Sequence, residues 1–247
     1  PTLKSTTIFK DCNYIPDKFK QLIKVIKVLE KTFNNDRLDI EFCIKKNNLS
    51  ILQCRPLLGY KKKVNKQKLN LVLANLAAKF DKTNQKNETL FGNKTVLSNM
   101  SDWNPAEIIG NRPDKLATSI YRHLITDNVW AKQRAEFGYR DVSPAPLVYS
   151  FCSQPYVDCR ASLNSFIPAI LPNDVAERFV NAYLDILREK PFLHDKIEFD
   201  LVFTTWVPGF LEEAKIRFKE RNISIDDIKL LEDALKDLHK FLMWMLA

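Results

Sequence analysis

The sequence predicts an α+β chain: a helix and a β-hairpin, followed by a longer stretch of mixed helices and antiparallel strands. Three observations lead there. Apolar residues recur at helical spacing over 17–33. Two alternating runs, Leu38 to Ile44 and Leu49 to Cys54, flank the turn-forming Lys46-Asn47-Asn48. Beyond residue 100, helical and alternating segments are interleaved with no internal repeat.

Element by element, Phe19, Leu22, Ile23, Ile26 and Leu29 form one face of the first helix, and lysines fill the other. The hairpin follows, then a helix over 66–80. In Ser101-Asp102-Trp103-Asn104-Pro105-Ala106-Glu107-Ile108, Asn104 reads as an N-cap, Pro105 as the first helical residue and Glu107 as the other half of a capping box. Trp103 and Ile108 are placed to form a hydrophobic staple. This assigns Asp102 and Glu107 structural work, with a functional role as the competing reading. Helices over 113–125 and 128–137 come next, the second capped by Asp127 and stopped by Gly138. Leu147 to Phe151 and Tyr156 to Leu163 read as strands, 174–189 as a helix, and Ile197, Phe199, Leu201 and Phe203 as a further strand by alternation. Ser224 with Asp227 starts a last helix striped by Ile228, Leu231, Leu235, Leu238, Leu242 and Met245.

Composition excludes several classes. With 45% hydrophobic and 28% charged residues in 247, a core can form without disulfides or structural metals. No apolar run reaches the roughly 18 residues of a membrane span, and no signal peptide is visible at Pro1-Thr2-Leu3-Lys4. The five glycines are scattered, none within ten residues of another, so neither a Walker loop nor a dinucleotide fingerprint is present. Five cysteines without a C-x-x-C pair, and three distant histidines, argue against zinc and for a reducing cytoplasm.

Charge is uneven. Residues 1–100 hold 20 Lys/Arg against 8 Asp/Glu, a net of +12; residues 101–247 hold 18 against 22, a net of −4. The basic excess, around Lys18 to Lys31 and Lys61 to Lys68, reads either as a polyanion-binding surface or as solvated helix faces. It lacks the interleaved aromatics of a single-strand nucleic-acid platform. The expected organisation is 1–60, a helix and linker over 61–100, and an α+β region over 101–247, with the boundary in the Asn/Thr/Lys-rich stretch Asp81 to Asn99.

The hairpin concentrates the chemistry. A three-residue loop at Lys46-Asn47-Asn48 pairs Lys45 with Leu49, Cys43 with Ile51, Glu41 with Gln53 and Asp39 with Arg55. One face then collects Ile40, Phe42, Ile44, Leu52 and Cys54 as core; the other collects Asp39, Glu41, Gln53 and Arg55. A carboxylate opposite an amide oxygen suits Mg²⁺ when phosphate oxygens complete its shell, and an arginine fork can hold a phosphate. The same four residues also read as a surface Asp39–Arg55 ion pair beside a Glu–Gln pair.

Leu38-Asp39-Ile40-Glu41-Phe42, followed by Ile51-Leu52-Gln53-Cys54-Arg55-Pro56, resembles the end of the ATP-grasp nucleotide-binding domain of the phosphoenolpyruvate synthase and pyruvate phosphate dikinase family. The resemblance covers about residues 10–60. It implies ATP and Mg²⁺ as cofactors, Glu41 and Gln53 on the metal, and Arg55 on the phosphates. It also implies an ATP-dependent phosphotransferase, with a small-molecule phosphoryl acceptor and a swivelling phospho-histidine domain of the same parent chain as partners. The family's Lys- and Gly-containing phosphate loops do not appear, its pyruvate-handling barrel is not recognisable, and none of His123, His194 or His239 sits in a Thr-x-His context. The chain therefore reads as a piece of a longer protein, inactive alone. The run from Asp102 through Asp158-Cys159-Arg160 to His194-Asp195-Lys196 is similar to synthase-like proteins associated with surface-polysaccharide modification. That branch implies an acceptor other than pyruvate, an amide such as glutamine being one known kind. Arg160, on a strand whose Asp158, Arg160, Ser162 and Asn164 line either a polar cleft or an ordinary half-exposed face, and His194 are the catalytic candidates. Arg134, Tyr139 and Arg140 form a candidate anion site. The rival function is a non-enzymatic basic module for nucleic acid or another polyanion.

Overall fold

The computed structural model describes residue 15 and residues 17–45, 48–57, 65–99 and 101–246. The first fourteen residues, the expected loop residues Lys46 and Asn47, and 58–64 with lysines 61–63 of the basic stretch lie outside the described residues. The chain divides into two units, Pro1–Lys68 and Leu69–Ala247. The stretch Asp81 to Asn99 therefore falls inside the second unit rather than between units.

The first unit contains helix α1 (Asp17–Thr32) and the antiparallel strands β1 (Leu38–Lys45) and β2 (Asn48–Pro56). On α1 the apolar stripe buries Leu22 and Ile23, while Lys20, Lys24, Lys27 and Lys31 are exposed. The hairpin keeps the expected register only at its base, where Asp39 faces Arg55 and Glu41 faces Gln53. Beyond Glu41 the register shifts: Phe42 faces Ile51 and Lys45 faces Asn48. Leu52 is the extra residue of a bulge, and Asn48 belongs to the strand rather than to a three-residue loop. The expected core face is not buried: Phe42, Ile44 and Leu52 are 39, 46 and 67% exposed. Two strands and one helix offer too little surface to cover both faces of a hairpin.

In the second unit, α2 (Lys66–Thr83, its first turn in the first unit) is followed by β3 (Leu97–Ser98), the single turn α3 (Pro105–Ile108), α4 (Lys115–Tyr121) and α5 (Val129–Glu136). Then come β4 (Val148–Phe151), β5 (Gln154–Asp158), α6 (Cys159–Asn164), α7 (Asn173–Glu189), α8 (Phe210–Arg217) and α9 (Ile225–Leu246). The strands form a small antiparallel sheet in the order β3-β5-β4. Phe151 pairs with Gln154, leaving Cys152 and Ser153 to turn the chain. Both have positive φ, 50° and 64°, as a tight hairpin of this hand requires.

Two apolar clusters hold this unit. The larger joins α7, α8 and α9 around Phe179, Tyr183, Phe210 and Phe218, with Phe179 and Phe218 edge-to-face at 5.2 Å. The smaller gathers Tyr121, Trp130, Leu147, Val148 and Val157. Segment 84–99 is fastened between elements by side-chain bonds. The Asn164 amide accepts from Phe91 N and donates to Phe91 O, both at 2.9 Å, and Asn84 accepts from Thr95 N at 2.8 Å. Gly92 has φ +99°, and a Cβ there would meet Leu184 Cδ1 at 2.8 Å.

The helices over 17–33, 66–80 and 174–189 occur as expected, as does the cap at Asn104, whose Oδ1 accepts from Glu107 N at 3.3 Å. Four readings are corrected. The strand through Leu163 ends at Asp158, whose carboxylate caps α6 by accepting from Arg160 N and Ala161 N. Ile197–Leu201 is a π-turn, not a strand: Ile197 and Leu201 are buried four residues apart while Phe199 is 81% exposed. Asn128, not Asp127, precedes α5, and Asp127 instead accepts from Arg122 Nε at 3.0 Å. Ile108 is exposed; Ile109 packs with Trp103 on the smaller cluster. Among the described residues, no helix is long and apolar enough to cross a membrane.

Candidate functional site

The hairpin base carries Asp39, Glu41, Gln53 and Arg55 on one face, because Asp39↔Arg55 and Glu41↔Gln53 are two residues apart on both strands and the bulge begins only after Glu41. Directly opposed residues place their Cβ atoms roughly 4.5–5.5 Å apart, so the Glu41 carboxylate and the Gln53 amide oxygen can reach a common ion. Both side chains are exposed. Arg55 donates from Nε and Nη2 to the same oxygen of Asp39, each at 2.8 Å. Among the described residues no three His, Cys, Asp or Glu side chains converge on a metal position. The donor set at Glu41 and Gln53 fits a cation that takes only two hard oxygens from protein, which is the habit of Mg²⁺ on nucleotide phosphates.

Arg160 and His194 belong to the second unit. Arg160 is 1% exposed and points inward: Nη1 donates to Gln85 O at 2.8 Å and Gly92 O at 3.4 Å, Nη2 to Thr83 O at 3.0 Å. Asp158, buried beside it, accepts from the Thr95 hydroxyl. Burial raises the Asp158 carboxyl above its ordinary range against these bonds and the nearby guanidinium. No polar cleft is lined by the expected quartet; Asp158, Arg160, Ser162 and Asn164 are all buried in and before α6. His194 lies in a 3₁₀ turn, Pro191–Asp195, with Nδ1 2.8 Å from Ser98 Oγ.

The expected anion trio is also spent on the protein. Arg140 stacks on Phe91 at 3.9 Å and bonds Asn173 Oδ1 at 3.0 Å, and the Tyr139 hydroxyl donates to Thr204 O at 2.6 Å. Arg134 centres a cluster that sequence spacing does not reveal. Its Nη2 reaches both oxygens of Asp102 at 3.1 Å and Glu198 Oε1 at 3.3 Å, and its guanidinium lies over the Phe166 ring at 3.7 Å. Ser162 Oγ donates to Asp102 Oδ2 at 3.2 Å. Burial pushes the Asp102 carboxyl up to about 7; Arg134 opposes the rise and the hydrogen-bonded Glu198 carboxyl adds to it. The sequence marked Asp102 and Arg134 separately, without bringing them together; Glu198 sat unmarked in an apparent strand.

No family model matches the chain, and neither a curated protein nor a solved structure matches it.

Proposed function

We propose that the hairpin base is part of the Mg²⁺–ATP phosphate site of an ATP-dependent phosphotransferase similar to the phosphoenolpyruvate synthase and pyruvate phosphate dikinase family. The observation that supports this reading is the register: Glu41 faces Gln53, and Arg55 lies one pair further along the same face. Glu41 and Gln53 would hold the cation, which when bound neutralises phosphate charge during transfer. Arg55 would exchange Asp39 for phosphate oxygens. The exchange costs little, because the Asp39–Arg55 pair is solvated, its side chains 39 and 59% exposed, and such pairs contribute about 0–1 kcal/mol. A phospho-histidine on a swivelling domain would then carry the phosphoryl group to a small-molecule acceptor, in the cytoplasm, with these 247 residues alone inactive.

The test is ATP turnover and thermal melting of the polypeptide that carries this chain. Glu41→Ala, Gln53→Ala and Arg55→Ala should each slow turnover by about 10²–10³, as loss of one well-placed electrostatic stabiliser does, with melting unchanged. Near-normal turnover in both Glu41→Ala and Arg55→Ala would reduce the hairpin to scaffold. A second reading, a polyanion-binding module, is favoured by the exposed lysines of α1. It requires nucleic-acid binding that weakens steeply with salt, and that binding should survive Glu41→Ala.

A further inference from the structure

Independently of any nucleotide, one nitrogen of Arg134 serves two carboxylates. Three acceptor oxygens, two from Asp102 and one from Glu198, lie 3.1–3.3 Å from Nη2. The Asp102 side chain is 3% exposed, Arg134 10% and Glu198 39%. Two carboxylates around one guanidinium carry a net negative charge, and an interior expels such a charge by taking up a proton. We infer that Asp102 and Glu198 hold one proton between them, and that this proton fastens segment 191–201 to residues 98–102 and α5 as a pH-sensitive latch.

The segment is built to be fastened this way. It consists of two short turns, Pro191–Asp195 and Ile197–Leu201, with buried Ile197 and Leu201 as apolar anchors. Its polar attachments include His194 to Ser98, Glu198 to Arg134, and Leu201 O, which accepts from Arg217 Nη1 of α8 at 2.6 Å. Phe192 and Phe199 face solvent, so the apolar surface held in place by the turns is chiefly that of Ile197 and Leu201. Facing Asp102 are Arg134 from α5, Ser162 and Cys159 from α6, and Tyr121 from the end of α4; Tyr139 faces Arg134 and Glu198. Burial pushes the Cys159 thiol up to about 12 and both phenols above their ordinary range. Between acid and mildly alkaline pH, the carboxyl pair is thus what changes charge in this cluster. His194 is the imidazole on the segment itself, which makes it the necessary control.

The sign follows from linkage. The Asp102 carboxyl stands at about 7 when latched and moves down toward its ordinary 3.8 as release lifts part of its burial and separates it from Glu198. Between these values the latched form holds the extra proton, so latching weakens about tenfold per pH unit as pH rises, then levels off. The experiment is hydrogen exchange of the 197–202 amides in the whole chain from about pH 5 to about pH 9, corrected for the intrinsic pH dependence of exchange. Protection should fall to a plateau above about pH 7. Glu198→Gln, at a half-exposed position, keeps a hydrogen-bonding partner without a proton to lose; its protection should be flat across the range. His194→Gln should keep the wild-type slope. Carboxyl ¹³C NMR should show one aspartate titrating well above the ordinary range near 4, absent in Asp102→Asn. A flat wild-type profile, an unchanged slope in Glu198→Gln, or a slope that vanishes only with His194 would each overturn the latch.

Discussion

Arg160 shows how a residue type that suggests catalysis can be committed to structure. Its guanidinium closes segment 83–92 onto α6 by bonding three main-chain carbonyls, with Asp158 buried alongside. Removing the cation strands those acceptors and leaves a buried carboxyl without its neighbour. Arg160→Met should therefore cost about 3–5 kcal/mol, the range for breaking a buried charged network, read from urea denaturation midpoints. Arg160→Lys should recover little, because a lysine lacks the planar fork that reaches carbonyls on both sides. Gly92→Ala belongs to the same scale. At φ +99° with Leu184 Cδ1 and Val180 Cγ1 at 2.8 and 3.2 Å from the new Cβ, it combines backbone strain with overpacking and should cost roughly 1–3 kcal/mol by the same measurement.

At the scale of elements, the start of α9 is a reciprocal box: Asp227 N donates to Ser224 Oγ and Ser224 N to Asp227 Oδ2, both at 3.0 Å. Arg178 of α7 grips the same carboxylate through Nε and Nη2 at 3.1 and 2.6 Å. Ser224→Ala should cost about 1 kcal/mol. The Arg178 bond holds the Asp227 carboxyl below its ordinary value, aided by Ser224 and opposed by burial. Its contribution is therefore present above pH 3.8 and is lost as pH falls through the lower folded value. In Asp227→Asn that part of the acid-side fall in melting temperature should disappear. This box, the Asn104 cap and the α7 stripe were legible in the sequence because each is a local pattern with its own spacing. The α6 helix was not: all six of its residues are buried, and a segment without an exposed face has no periodicity to read. The turn at Ile197–Leu201 fits both templates, since alternation and four-residue spacing share Ile197 and Leu201. The hairpin was half legible. Pairing at its base followed from side-chain chemistry, but the bulge at Leu52 re-phases the upper half. Deleting Leu52, 67% exposed, should leave the 39/55 and 41/53 pairs intact in NMR cross-strand contacts, because it removes only the residue without a partner.

The whole molecule is organised by where apolar burial occurs. Lys/Arg outnumber Asp/Glu 16 to 6 in residues 1–68 and fall short 22 to 24 in residues 69–247, so the charge asymmetry follows the division into units. Every buried residue of both apolar clusters lies beyond position 68. In the first unit, among the described residues, Leu22 and Ile23 are the buried apolar side chains. Burial sets both the size and the cooperativity of a melting transition, so the main transition of the chain belongs to the second unit. Residues 65–247 expressed alone, beginning at the residue before α2, should melt with the same midpoint as the whole chain. For a unit of this size 1 kcal/mol moves the midpoint by about 2–4 °C. A loss larger than that would mean that the first unit stabilises the second. Agreement would be in keeping with the unchanged melting expected of hairpin variants, and would assign any loss of turnover in Glu41→Ala to the proposed phosphate site rather than to unfolding.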